Sequence, residues 1–80
     1  MKHSLVKKRS IIINKLKTSI SLEDNFYDSL KEIAKILNMN VNRLIEIVDS
    51  KRNAYNLSSA LRLYVLNYYK QRVTITREFT

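Results

Sequence analysis

Between residues 17 and 22 the chain alternates strictly, with Thr18, Ile20 and Leu22 on one side and Lys17, Ser19 and Ser21 on the other. A period of two predicts a half-buried strand. The period then lengthens. Phe26, Leu30, Ile33, Ala34 and Leu37 recur at helical spacing while Asp28, Lys31, Glu32 and Lys35 fall opposite, which predicts an amphipathic helix over about 24–37. Glu23 and Asp24 suit the positive end of its first turn. Val41, Leu44, Ile45 and Val48 predict a second helix over about 41–51. A third, about 57–71, carries apolar residues nearly all round. A helix apolar on every side is buried on every side, which so short a chain arranges more easily as a dimer. Two weaker segments, 9–13 and Val73-Thr74-Ile75-Thr76, read as strand-like, and they could pair with each other or with a neighbouring chain.

Gly and Pro are absent, so the usual punctuation is missing. Asparagine tolerates the left-handed conformation and caps helices well. Asn38, Asn40, Asn53 and Asn56 fall between the periodic segments and serve as the turn markers. Asn38 is the expected residue after the first helix and Asn40 the cap of the second; Asn56 or Ser58 caps the third.

A lone strand leaves its backbone N–H and C=O groups without partners. The economical solution is the same strand of a second chain, antiparallel across a two-fold axis. Ile20 and Leu22 then join Phe26, Leu30, Ile33, Leu44, Ile45 and Val48 in the dimer core, and Lys17, Ser19 and Ser21 face solvent. A competing arrangement pairs Ile11–Ile13 with Leu16–Thr18 through Asn14-Lys15. It ranks below the dimer because the hairpin is short and its turn lacks Gly.

Eighty residues make one domain, and 45% apolar content argues that it folds. The expected division is a basic arm over 1–16, a core over 17–71 and a strand-like tail over 72–80. Without Cys there is neither a disulfide framework nor a thiolate metal site. No apolar run reaches the roughly 18–20 residues that span a bilayer, and Ile11-Ile12-Ile13 is too short for a signal-peptide core, so a cytoplasmic protein is expected. His3 is the single histidine, and no catalytic, metal-binding or cofactor-binding arrangement emerges.

The net charge of +8 is unevenly spread. Residues 1–17 hold Lys2, Lys7, Lys8, Arg9, Lys15 and Lys17 and no acid, whereas residues 18–50 hold six of the seven acids. Such a distribution can give one basic and one acidic face, and a basic face attracts polyanions through counterion release. A two-stranded ribbon fits the major groove of B-DNA.

The segment Thr18-Ser-Ile-Ser-Leu-Glu-Asp-Asn-Phe-Tyr-Asp-Ser-Leu30, followed by Asn38-Met-Asn-Val-Asn-Arg-Leu-Ile45, resembles the core of ribbon-helix-helix repressors of the Arc/MetJ type. The resemblance is closer to a group of short bacterial ribbon-helix-helix proteins. Lys8-Arg9-Ser10 matches their lead-in, and Asn56-Leu-Ser-Ser-Ala-Leu-Arg62 matches a later stretch. The match covers roughly residues 8–70. It implies an α+β, mostly helical fold: an intertwined homodimer with an intermolecular antiparallel β-ribbon, plus an additional C-terminal helix. It also implies a regulator, expected to be a repressor, that contacts bases of double-stranded DNA through Lys17, Ser19 and Ser21. The start of the second helix, Asn40, Val41 and Asn42, is implied to hold a phosphate through backbone N–H groups, which is sound physics for any helix N-terminus. Lys7, Lys8, Arg9, Lys15 and Arg43 are the further phosphate contacts expected. Two serines stand where family members use longer side chains, so modest base discrimination and a large phosphate share of the affinity are expected.

Each feature also has a plainer reading. Ser19 and Ser21 could be solvated strand residues, and the cluster Tyr64, Tyr68, Tyr69 reads as core rather than as a stacking platform. Two other functions remain open. One is a protein-interaction module, such as an antitoxin whose C-terminal half covers a partner while the strand binds DNA. The other is a peripheral membrane binder, disfavoured because residues 1–17 form no basic amphipathic helix. Whether dimers assemble further, into a dimer of dimers, is open.

Overall fold

The computed structural model describes residues 5–52 and 56–78, with 73–78 described by their backbone. Asn53, His3 and the ends of the expected arm and tail lie outside the described residues. The order is β1 (Val6–Ile13), β2 (Leu16–Glu23), α1 (Asp24–Ile36), α2 (Val41–Lys51) and α3 (Leu57–Glu78). This is the α+β, mostly helical ribbon-helix-helix arrangement with an added third helix.

β2 has a strand partner within its own chain. β1 and β2 form an antiparallel hairpin within one chain, in register from Val6–Glu23 to Ile13–Leu16. The hairpin ranked second on sequence grounds is therefore formed, and it is not short. Asn14 and Lys15 take φ of 52° and 69°, the doubly left-handed turn that suits the twist of a two-residue hairpin. Asn bears this conformation well; Lys does not, and tertiary contacts offset the cost. The Asn14 N–H donates to Glu46 Oε2 at 3.4 Å. The Ile12 N–H donates to Asn42 Oδ1 at 3.0 Å, and Asn42 Nδ2 donates back to the Ile12 carbonyl at 2.6 Å. α2 thus grips the outer edge of β1 beside the turn.

One face of the hairpin packs on the helices. Ile11, Ile20 and Leu22 are buried with Leu30, Ile33, Ala34, Leu44, Ile45, Val48, Ala60, Leu61 and Val65, and Phe26 is half-buried against them. The eight residues expected at a dimer core thus pack together within a single chain. Thr18 shares their side of β2 but is exposed.

Asparagine supplies the punctuation. Asn38 has φ of 61°; its N–H donates to the Lys35 carbonyl and that of Met39 to the Ala34 carbonyl, the pair of bonds that closes a helix through a left-handed residue. Asn40 Oδ1 accepts from the Arg43 N–H at 2.8 Å, and Asn56 Oδ1 from the Ser59 N–H at 2.8 Å, each capping a helix. Asn56, rather than Ser58, therefore starts α3.

α3 departs from expectation twice. It runs on through residues 73–78, which are helical and not strand-like. No Gly or Pro interrupts the helix after Asn56, and the strand preference of Val, Ile and Thr is too weak to end it. Nor is α3 buried all round: Ala60, Leu61 and Val65 are covered, while Leu63, Leu66 and Tyr69 are exposed.

Candidate nucleic-acid interface

The register sorts the hairpin side chains into two sets. Ile12–Lys17, Ser10–Ser19 and Lys8–Ser21 are facing pairs, and all six residues are exposed. Lys17, Ser19 and Ser21 are thus joined on one surface by Lys8, Ser10 and Ile12 of β1. The next pair along is Val6–Glu23. Glu23 is half-buried and accepts from Arg62 Nε at 2.9 Å, so the acid at the end of this face is neutralised. Its own backbone N–H and the Arg62 hydrogen bond hold the carboxyl below the usual range.

The remaining basic residues divide. Arg9 falls on the opposite side, half-buried. Its guanidinium donates to the Leu22 carbonyl and to Asp24 Oδ1 and lies 4.2 Å from the centre of the Tyr27 ring. Arg9 therefore braces the hairpin against α1, and its expected phosphate contact would compete with Asp24 and Tyr27 for the same guanidinium. Lys7 pairs with the same carboxylate at 3.1 Å but stays exposed. Hydrogen bonds from Arg9 and then Lys7 lower the Asp24 pKa. Lys15 is exposed at the hairpin turn, and Arg43 is exposed on α2, 3.6 Å from Glu46.

Asn40, Val41 and Asn42 open α2. Asn40 and Val41 line an open cleft with Asn38, Met39, Lys31 and Lys35. The two lysines stand on α1, and the charge-neutral look of its outer face hid them from sequence reading. The Asn42 side chain is committed to Ile12, leaving backbone N–H groups and flanking cations to meet an anion.

Tyr64, Tyr68 and Tyr69 lie along α3, with Tyr64 beside Ile47 and Val48 of α2. Tyr64 and Tyr68 pack against the core, Tyr68 and Tyr69 meet edge to face, and the Tyr69 hydroxyl lies 3.3 Å from Glu32 Oε2. Burial raises the Tyr64 pKa, and Tyr68 adds to the effect. No helix among the described residues is long and apolar enough to cross a membrane.

A two-stranded ribbon, one polar face outward, backed by a helix–turn–helix pair defines a class of small ribbon-bearing proteins. The chain belongs to the ribbon-helix-helix domain family, whose model matches residues 6–69. Members generally bind DNA and form dimers, serve as transcription regulators or antitoxins, and are typically not enzymes. Among solved structures, the chain is similar to an uncharacterized protein from Bordetella pertussis Tohama I, with 34% identity and a TM-score of 0.75. The match covers 89% of this chain and 61% of that one, so this chain spans less than two thirds of its relative's length. No curated protein matches significantly.

Proposed function

We propose that this protein binds duplex DNA as a homodimer and acts as a transcriptional regulator, a repressor by occupying its operator. The observation that carries this is the outward face of the hairpin: Lys8 and Lys17 flank Ser10, Ser19 and Ser21, with the nearest acid paired to Arg62. Lys17, Ser19 and Ser21 contact bases, and Lys8 reaches phosphate. Lys7, Lys15 and Arg43 add phosphate contacts, and the backbone at Asn40, Val41 and Asn42 holds one phosphate.

The hairpin leaves room for the dimer. Because Asn42 meets both backbone groups of Ile12, those groups point away from β2. By antiparallel alternation, the N–H and C=O groups of Lys17, Ser19 and Ser21 point away from β1. No described residue pairs with that edge, and a second β2 fits it.

Fluorescence anisotropy on duplex DNA from upstream of the protein's own gene, beside a scrambled duplex at several salt concentrations, tests the reading. Affinity for the native duplex falls steeply with salt, and Lys17→Ala weakens it by about tenfold. Unchanged affinity in that variant would sink base contact by Lys17, and equal binding to both duplexes would leave only an architectural role.

Leu63, Leu66 and Tyr69, exposed along α3, support a second reading: an antitoxin-like module whose C-terminal half covers a partner protein. A free homodimer that already covers these residues would remove it.

A further inference from the structure

Ile12 is out of place on the ribbon. Its neighbours on the outward face are Lys17 across the hairpin and Ser10 along β1, yet it is a large aliphatic residue left 51% exposed. Its backbone is held at both N–H and C=O by the amide of Asn42. Asn42 is the second residue of α2, so Ile12 is tied directly to the helix end on which a phosphate would rest.

The dimensions of DNA give this position a meaning. Strands lie about 4.8 Å apart, so β1-β2 joined to a second β2-β1 would place the two outer strands about 14 Å apart. The major groove is about 12 Å wide. The β2 strands would therefore run over the base edges, with β1 at the walls. The C5-methyl group of thymine projects into the groove close to its own sugar–phosphate wall, and it is the feature of a base edge that an aliphatic side chain can read.

Resting on the DNA-binding reading above, we infer that Ile12 is a specificity-determining residue that packs on the 5-methyl group of thymine. Asn42 is its positioning residue, fixing its height relative to the phosphate held at the start of α2. Ile12 supplies an apolar contact where Ser19 and Ser21 supply only hydroxyls that accept or donate to several bases. Discrimination for A·T pairs near the groove wall thus comes from β1, a strand that a ribbon built from β2 alone would lack.

The test compares the upstream duplex with an otherwise identical duplex in which every thymine is replaced by deoxyuridine, at one fixed salt concentration. Wild-type protein binds the deoxyuridine duplex about fourfold more weakly for each contacted methyl lost, the value of burying one such group. Ile12→Ser binds the two duplexes equally, and Ile12→Val keeps most of the difference. Ile12 is exposed, so its variants fold, which circular dichroism checks. Tight wild-type binding that ignores the methyl groups would overturn the role of Ile12 while leaving DNA binding intact. An Ile12→Ser variant that still distinguishes the duplexes would overturn that role equally. Failure of the wild type to bind either duplex would overturn both readings.

Discussion

At the residue scale, two carboxylates hold the open end of the hairpin. Asp24 is bonded by Arg9 and Lys7, and Glu23 by its own N–H and by Arg62. Both pKa values are lowered in the folded chain, so the folded state binds fewer protons than the unfolded one as the pH drops. The stability they contribute is complete above the ordinary carboxylate range and is lost as pH falls through that range towards the depressed folded values. Urea midpoints at about pH 6 and about pH 3 will fall further for wild type than for Asp24→Asn or Glu23→Gln. Equal falls would show these ion pairs to be irrelevant to acid stability. The proposed base-contacting residues Lys17, Ser19 and Ser21 were legible as an outward set from alternation alone. Arg9 was not. Nothing in a one-dimensional pattern shows that Tyr27 and Asp24 close around a guanidinium drawn from fifteen residues away.

At the scale of elements, the helices were legible because their signals are local. The apolar stripes set α1 and α2, and the side chains of Asn40 and Asn56 reach the backbone only three residues on. The hairpin was underrated because its turn is poor by local rules and its support is distant: Asn42 and Glu46 lie about thirty residues from the atoms they hold. This assigns the weak point to Lys15, a side-chain-bearing residue at φ of 69°. Lys15→Gly relieves that strain and raises the entropy of the unfolded chain by a smaller amount, so a net gain of about 1 kcal/mol is expected from thermal or urea unfolding. A loss of stability would mean that Lys15 makes a contact worth more than its strain. The continuation of α3 through 73–78 carries the opposite lesson. There, weak strand preference yielded to a helix already under way.

At the scale of the molecule, the single chain completes a core, and among the described residues it leaves two surfaces open: the outer edge of β2 and the Leu63, Leu66, Tyr69 side of α3. Exposed strand edges and apolar patches are the usual seats of association. The Ser19 N–H points away from β1, so Ser19→Pro removes a donor from the outer edge without touching the hairpin ladder. Sedimentation velocity is expected to show a wild-type dimer and a monomeric Ser19→Pro variant that keeps its circular dichroism spectrum. A dimeric Ser19→Pro variant would place the interface elsewhere, with α3 the next surface to alter. A monomeric wild type would remove the dimer from the proposed function.

What the sequence determined by itself was whatever depends on near neighbours: the period of each segment, the asparagine caps, the acid-free basic start and the outward set on β2. Backbone geometry and charge repulsion act within a few residues, so they leave a readable trace. Only the tertiary structure decided which strand completes the ribbon, which cations stay available and which apolar residues remain uncovered. Those outcomes depend on contacts between distant segments, whose combined free energy outweighs any single local preference. Asn42 on Ile12 is such a contact, and it turns a short β-branched run into half of the candidate DNA-binding face.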